Sequence, residues 1–253
     1  MYYYIFDPPA GPNDYQHTQQ IKEKLSALGI AGEMGSPMPG KDVRYLVENA
    51  VAKRYSTIVA VGGVALINQV AQALEPHDSV LGIIPLHEEP DIAKLIGSDT
   101  WEQAAENLKR RRVQSVKLGL LEGTGCFLTP ATIEIPANEW VTFATPNFQG
   151  RQQGGTVIIS PSRNPEQESM CLAVEITMGE KAPSAGFFKS LFGGKSSPSQ
   201  NTTRFCTSHL KITTEKPCAV SVAGSEITQT PLTCSTQAKP VRLIVAKQSG
   251  TTA

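Results

Sequence analysis

A glycine pair in the first third of the chain has the residue types and spacing that best fit a phosphate site. Gly62 and Gly63 follow the apolar run 57–61 and precede a helical pattern. A buried strand, a glycine turn and a helix N-terminus bring backbone N–H groups together, and such an arrangement binds phosphate. The next three residues are apolar and stiffer than a phosphate loop usually has: Val64, Ala65 and Leu66. The segment therefore has the shape of a phosphate loop without its polar residues.

Two other groups of residues could hold a metal ion, and neither has convincing spacing. His87, Glu88 and Glu89 follow a predicted strand, where α/β proteins place ligands, but a solvated loop accounts for the same residues better. The five cysteines lie in the second half and form no CxxC pair: Cys126, Cys171, Cys206, Cys218 and Cys234. Zinc is therefore not expected, and reduced thiols of a cytosolic protein are the preferred interpretation, with a disulfide through Cys206 or Cys218 as a minor alternative.

The first 112 residues alternate between strand and helix patterns. Strands are predicted at 2–6, 30–34, 57–61 and 80–85, and the strand at 57–61 has no polar alternation, which is typical of a parallel sheet covered on both faces. Amphipathic or capped helices are predicted between and after them, at about 13–28, 42–55, 65–74, 91–96 and 101–112. This order predicts a doubly wound α/β domain over residues 1–112.

From residue 113 the helical patterns end. Short runs rich in Val, Ile, Thr and Phe alternate with Gly, Pro, Asn and Ser. That pattern predicts an all-β domain over residues 113–253, built as a β-sandwich. A long polar loop at about 179–203 is expected to be mobile.

The overall composition argues against two classes of protein. There are 23 basic and 23 acidic residues, so the formal net charge is zero and a general nucleic-acid binder is not expected. The chain shows no signal-peptide pattern, and we expect a cytoplasmic protein. Within the polar loop, the apolar residues Phe187, Phe188, Leu191 and Phe192 lie together with two lysines. This makes contact with a membrane surface a candidate role beside contact with a partner protein or packing on the sandwich.

The order of the motifs resembles the diacylglycerol kinase catalytic-domain family, which includes bacterial lipid kinases and sphingosine kinases and has an NAD-kinase-like fold. The resemblance rests on the turn after the first strand, the glycine pair, the strand that ends in Pro85-Leu86, segment 91–97 and the all-β part that follows. It covers nearly the whole chain and is strongest before about residue 115. It implies an ATP- and Mg²⁺-dependent lipid kinase as the ancestral activity.

The family's motifs are only partly present. Its nucleotide loop reads GGDGT-x-N-E, and here Gly62, Gly63 and Asn68 match, while the other positions hold Val64, Ala65, Leu66 and Gln69. Its PLGTxND motif is matched by Pro85, Leu86 and Asp91, with His87, Glu88 and Pro90 as replacements. Its DGE motif keeps only Gly224, since Ala223 and Ser225 replace both acids, and its Asn-Pro is Asp7-Pro8.

By resemblance, the nucleotide site would be formed by Asp7, Pro8, Gly62, Gly63, Asn68, Leu86 and Asp91. The residues at the acidic positions, Val64, Ala223 and Ser225, can neither hold Mg²⁺ nor accept a proton, so no catalytic residue is assigned. We expect a pseudokinase-like binding or regulatory protein, with nucleotide or lipid in an inter-domain cleft. The alternatives are an active ATP-dependent lipid kinase that uses other acids (among them Glu88, Glu89 and Glu226) and a membrane-peripheral scaffold. Oligomeric state is not predicted.

Overall fold

The computed structural model describes residues 1–163, 170–178, 202–237 and 239–247. The chain divides into two compact units. The first comprises residues 1–118, 126–129 and 237–253, and the second comprises residues 119–125 and 130–236. The predicted apolar segment at 187–192 lies outside the described residues.

The first unit contains a six-stranded sheet with helices between its parallel strands. The strands are β1 (Tyr2–Phe6), β2 (Glu33–Gly35), β3 (Thr57–Gly62), β4 (Val80–Pro85), β5 (Val113–Val116) and β16 (Val241–Ile244), in the order β2-β1-β3-β4-β16-β5. The helices are α1 (Pro12–Ala27), α2 (Val43–Ala52), α3 (Val64–Leu74), α4 (Pro90–Ile96) and α5 (Trp101–Arg110). All six residues of β3 and of β4 are buried, which confirms the doubly wound α/β fold predicted from their unbroken apolar runs.

Local sequence signals account for most helix boundaries in this unit. The Asp42 side chain accepts a hydrogen bond from the Tyr45 N–H at 2.8 Å and caps α2. Gly29 follows the last turn of α1 with a φ of +70°, the left-handed conformation that ends many helices. Helix α1 begins one residue before the predicted Asn13, and its N-cap is Gly11.

The second unit is built from antiparallel strands, which include β7 although residues 126 and 127 of that strand are counted with the first unit. They are β6 (Gly119–Leu121), β7 (Gly125–Phe127), β8 (Ala131–Ala144), β9 (Gln149–Arg163), β10 (Met170–Thr177), β11 (Thr202–Thr207), β12 (His209–Thr214), β13 (Ala219–Val222), β14 (Ser225–Gln229) and β15 (Leu232–Thr236). They form a ten-stranded sheet in the order β11-β10-β9-β8-β12-β15-β6-β7, with β13 on β8 and β14 on β13. This confirms an all-β part after the α/β part.

The last strand of the chain belongs to a different sheet from the one predicted from the sequence. Residues 241–246 were assigned to the β domain, but β16 pairs parallel with β4 and antiparallel with β5 in the first sheet. A strand's amino-acid pattern indicates that it is buried and does not identify its neighbour, because pairing between distant segments leaves no local signal. The first unit therefore includes chain from both sides of the second.

Candidate functional site

The carboxyl ends of β1, β3 and β4 meet at one edge of the parallel sheet. This edge, here called the glycine-turn edge, comprises Asp7, Gly62, Gly63, Leu86 and His87. The in-register pairing of β1 with β3 and of β3 with β4 aligns the three strand ends. Ligands of open α/β sheets bind at such an edge. Four of the residues predicted to bind nucleotide lie here: Asp7, Gly62, Gly63 and Leu86.

The Asp7 carboxylate is hydrogen bonded to the glycine turn. Its Oδ2 accepts a hydrogen bond from the Gly63 N–H at 2.7 Å, and the Asp7 N–H donates to the Val61 carbonyl at 2.9 Å. Gly63 is the N-cap of α3 and has no side chain to cap the helix. Asp7 therefore supplies from β1 the negative partner that a helix N-terminus prefers. The N–H group that a phosphate would use is bound to the protein's own carboxylate.

Close packing at Gly62 fixes this arrangement. A Cβ added to Gly62 would collide with the Asp7 carboxylate and would lie 2.8 Å from Leu66 Cδ2. Leu66 is only 3% exposed, so its side chain points inward beneath the turn. Glycine is needed here because two side chains occupy the space that a Cβ would fill.

Asp7 is half-buried, and its ionisation is affected by opposing influences. Burial raises the pKa of Asp7, while the hydrogen bond from Gly63 and the charge of His87 both lower it. Burial is the largest of the three effects, so the pKa lies above its usual value. His87 replaces a glycine of the family motif, and here it acts electrostatically on Asp7.

Asn68 points to the protein interior rather than to the turn. Its Nδ2 donates to the Val64 carbonyl at 2.9 Å and to the Thr129 hydroxyl at 2.6 Å. Its Oδ1 accepts hydrogen bonds from the Leu128 N–H at 2.8 Å and the Thr129 N–H at 3.2 Å. Four hydrogen bonds use the full capacity of an amide side chain. Asn68, predicted to bind nucleotide, instead joins α3 to residues 128–129 of the same unit.

The remaining predicted residues are placed as follows. Leu86 is half-buried, and its N–H donates to the Gly62 carbonyl at 3.2 Å, so it belongs to the glycine-turn edge. Pro8 is exposed beside Asp7, and Asp91 is exposed in the first turn of α4. The partners Leu128 and Thr129 of Asn68 were not predicted, since a contact across 60 residues has no signature in the sequence.

Three positions at which the family has acids hold residues without carboxylates, although Asp91 keeps the acid of the PLGTxND motif. Val64 is the first residue of α3. Ala223 and Ser225 lie at the β13–β14 hairpin of the second unit, where Ala223 and Gly224 have φ of +54° and +74°. Hairpins of this conformation prefer Asn-Gly or Asp-Gly, so alanine is strained where the family has aspartate. The donor set at these positions does not fit Mg²⁺, whose ligands are oxygens of carboxylates and water.

In the described part of the chain, no group of three or more His, Cys, Asp or Glu side chains is placed so that it could hold a metal ion. No helix in that part is both long and apolar enough to cross a membrane. All five cysteines are free.

The family model of the diacylglycerol kinase catalytic domain matches residues 2–121. Over these residues, a little under half of its length, the chain is similar to that family. A diacylglycerol kinase of Bacillus subtilis is 24% identical over 145 residues, which are 53% of this chain and 48% of that protein. A "probable lipid kinase YegS-like" protein of Pseudomonas aeruginosa is 36% identical over 93 residues, 36% of this chain and 30% of that protein.

A solved structure extends the likeness of the fold to both units. The crystal structure of a diacylglycerol kinase from Bacillus anthracis aligns with a TM-score of 0.72 and 17% identity, covering 97% of each chain. At that identity the likeness concerns the fold alone. The matched segments span about half or less of the two curated relatives.

Proposed function

We propose that this protein is a lipid-kinase-family member that does not transfer phosphate from ATP efficiently and acts as a binding or regulatory protein. The observation that carries the proposal is the bond between the Asp7 carboxylate and the Gly63 N–H at 2.7 Å. A triphosphate at this turn would have to displace a carboxylate that belongs to the protein.

Electrostatics makes that displacement unfavourable. Two unit negative charges 4 Å apart repel by roughly 4 kcal/mol at the effective dielectric constant near a protein surface. The family's asparagine, which Asp7 replaces, would carry no such charge. Val64 offers no carboxylate that could bring a compensating metal ion to the turn.

The chemistry of transfer is also unsupported. Phosphoryl transfer depends on metal ions that neutralise the phosphate oxygens and on a residue that orients or deprotonates the acceptor hydroxyl. Loss of a general base alone slows catalysis by about 10²–10⁴-fold. Val64, Ala223 and Ser225 leave three acidic positions of the motif without a carboxylate, so we derive no step through Mg²⁺-ATP.

A phosphorylation assay tests this proposal. Purified protein is incubated with labelled ATP, Mg²⁺ and diacylglycerol in phosphatidylcholine vesicles, and labelled phosphatidic acid is measured. We expect no product above the level without protein. Product that requires both protein and Mg²⁺ would overturn the proposal and establish the alternative, an active kinase with altered acids.

A reverted variant is the matched comparison. Asp7→Asn combined with Val64→Asp restores two residues of the family pattern at the glycine turn. We expect Mg²⁺-ATP to raise the melting temperature of this variant more than that of the wild type, since ligand that binds only the native state stabilises it.

Membrane contact through Phe187, Phe188, Leu191 and Phe192 remains a separate prediction. It would give a regulatory member of the family access to lipid. A Phe188→Ser/Phe192→Ser variant should lose co-sedimentation with vesicles, and unchanged co-sedimentation would exclude this segment as the membrane contact.

A further inference from the structure

A cavity lies at the edge of the parallel sheet opposite the glycine-turn edge, where the strands begin. Its volume is about 450 Å³, within the range of small-molecule sites. The polar residues that line it include Ser56, His77, Ser79, Arg111 and Arg242. We call this group the arginine edge. It contains none of the residues of the glycine-turn edge.

The sheet register brings the two arginines to one place. Thr57, the first residue of β3, pairs with Val80, the first residue of β4, and Val80 pairs with Arg242 on β16. These three residues therefore form a row across adjacent strands, which are about 4.8 Å apart. Arg111, the C-cap of α5, reaches the same row through Thr57.

Both guanidinium groups are held only by neutral acceptors at long distances. Arg111 Nη2 donates to the Thr57 hydroxyl at 3.3 Å, and Arg242 Nη1 donates to the Asp78 carbonyl at 3.4 Å. Within the described residues neither arginine forms a salt bridge with a carboxylate. A guanidinium has five N–H donors, so most of the hydrogen-bonding capacity of each remains for a ligand. Planar N–H pairs suit the oxygens of a phosphate group.

The backbone at Arg111 is kept in a conformation that arginine does not favour. Its φ is +51°, in the left-handed region at the end of α5, where glycine is the usual residue. Arginine occupies this position despite the strain, and it lines the cavity.

Negative groups at this edge determine how strongly the site depends on its arginines. The carboxylate of Asp78 is paired with Lys239 at 3.1 Å. The C-terminal ends of α2, α3 and α5 lie at the edge where parallel strands begin, and each carries partial negative charge. An anion can bind here only if the guanidinium groups outweigh these dipoles.

From this geometry we infer that the arginine edge binds the phosphate group of a phosphate monoester, held by the guanidinium groups of Arg111 and Arg242, with the His77 imidazole as a further donor in the same cavity. The phosphate comes from a soluble metabolite or from a phospholipid headgroup. This site lies outside the glycine-turn edge and does not rest on the proposed function.

A binding experiment with two probes tests the inference and separates the two sources. Glycerol 3-phosphate is titrated into the full chain by calorimetry, and co-sedimentation is measured with vesicles of phosphatidic acid in phosphatidylcholine. We expect saturable binding of at least one probe. Binding of glycerol 3-phosphate identifies a soluble ligand, whereas binding of vesicles alone identifies a headgroup.

Variants then locate the binding. Arg111→Gln/Arg242→Gln should weaken it at least tenfold, and Arg111→Lys/Arg242→Lys, which keeps the charge but loses the paired N–H groups, should weaken it less. The control Arg44→Gln/Arg151→Gln removes two positive charges that are paired with Glu48 in the first unit and with Glu215 in the second. It should bind within twofold of the wild type.

Three outcomes would overturn the inference: no binding of either probe by the wild type, equal binding by Arg111→Gln/Arg242→Gln, and an equal loss in the control. Circular dichroism and the melting temperature of each variant show whether it is folded. If the glutamine variant does not fold, Arg242→Gln alone, which alters no strained residue, replaces it.

Discussion

The charged groups at the two edges of the parallel sheet have opposite kinds of partner. At the glycine-turn edge a helix N-terminus, which attracts anions, is paired with the Asp7 carboxylate at 2.7 Å. At the arginine edge, helix C-termini disfavour anions, yet two guanidinium groups are held only by neutral oxygens at 3.3 and 3.4 Å. At the edge where this kind of fold ordinarily binds phosphate, the backbone N–H donor is already bonded to a carboxylate of the protein. At the opposite edge, most guanidinium N–H donors have no protein acceptor and can bind a ligand.

This contrast has a consequence for stability. Groups satisfied by the protein contribute to folding, so replacing them should cost stability. Groups retained for a ligand contribute little, and a strained one costs stability. Substitution of Asn68 on α3 or of Gly62 in its turn should therefore destabilise the protein, whereas Arg111 should be replaceable without loss.

The largest effect is expected for Asn68→Ala. The substitution leaves the buried N–H groups of Leu128 and Thr129 without their acceptor, and an unpaired buried group costs about 1–3 kcal/mol. We expect urea denaturation to give a free energy of unfolding lower by about 2–4 kcal/mol.

Its control is Gln69→Ala, the exposed neighbour in the same helix turn, which should change stability by less than about 0.5 kcal/mol. Equal effects at the two positions would contradict the structural role assigned to Asn68.

Gly62→Ala should have the next largest effect. The added Cβ collides with Asp7 and meets Leu66 Cδ2 at 2.8 Å, and overpacking typically costs about 1–3 kcal/mol. Gly63→Ala is the matched change, since its Cβ would lie 3.7 Å from Asp7 Oδ2, and it should cost less than about 1 kcal/mol. If Gly62→Ala lowers the free energy of unfolding no more than Gly63→Ala does, the close packing of Asp7 and Leu66 against Gly62 is contradicted.

Arg111→Gly should have the opposite sign. Glycine removes the strain of a φ of +51°, so we expect the free energy of unfolding to rise by up to about 1 kcal/mol. Arg54 has a φ of +61°, and Arg54→Gly should give a similar gain. Of these two variants, only Arg111→Gly should weaken phosphate binding. If Arg111→Gly lowers the free energy of unfolding while Arg54→Gly does not, the Arg111 side chain has a structural role instead.

The smallest effect concerns the ionisation of Asp7. Because burial raises its pKa in the folded protein, the folded state holds this proton to a higher pH than the unfolded chain, whose carboxyl titrates near about 3.9. The stability contributed by protonated Asp7 is therefore fully present below that pH and is lost as pH rises through the folded-state pKa.

The amide of an Asp7→Asn variant does not titrate. The free energy of unfolding of the wild type, relative to that of this variant, should therefore fall as pH rises from about 3 to about 7. Urea denaturation at several pH values measures the difference. Asp14→Asn, which removes another carboxylate bonded to a backbone N–H (Ala10, 3.0 Å), corrects for the general effect of charge. A constant difference across the range would contradict the influence of burial on Asp7.

The sequence was most informative where the determinants are local. The unbroken apolar run of β4 has the predicted bounds, and the stripe on α2 and the stop at Gly29 were read from neighbouring residues. Strand β2 was predicted at 30–34 and lies at Glu33–Gly35, because a three-residue strand has too few positions to show a period.

Long-range contacts were the part that the sequence did not disclose. The place of β16 beside β4 depends on pairing across 160 residues, and the hydrogen bonds of Asn68 depend on residues 60 positions away. Motif matching predicted that Asn68 binds nucleotide, but a motif does not say whether an amide faces a ligand or the core. The arginine edge was not predicted, since its members come from four separate segments.

The most direct test of the account is calorimetric titration of Mg²⁺-ATP into the Arg111→Gln/Arg242→Gln variant, in which the second phosphate site is removed. We predict no saturable binding at millimolar nucleotide, because the Asp7 carboxylate holds the glycine turn. Saturable, Mg²⁺-dependent binding to this variant that is lost on Gly63→Asp substitution would contradict the account and place nucleotide at the turn after all.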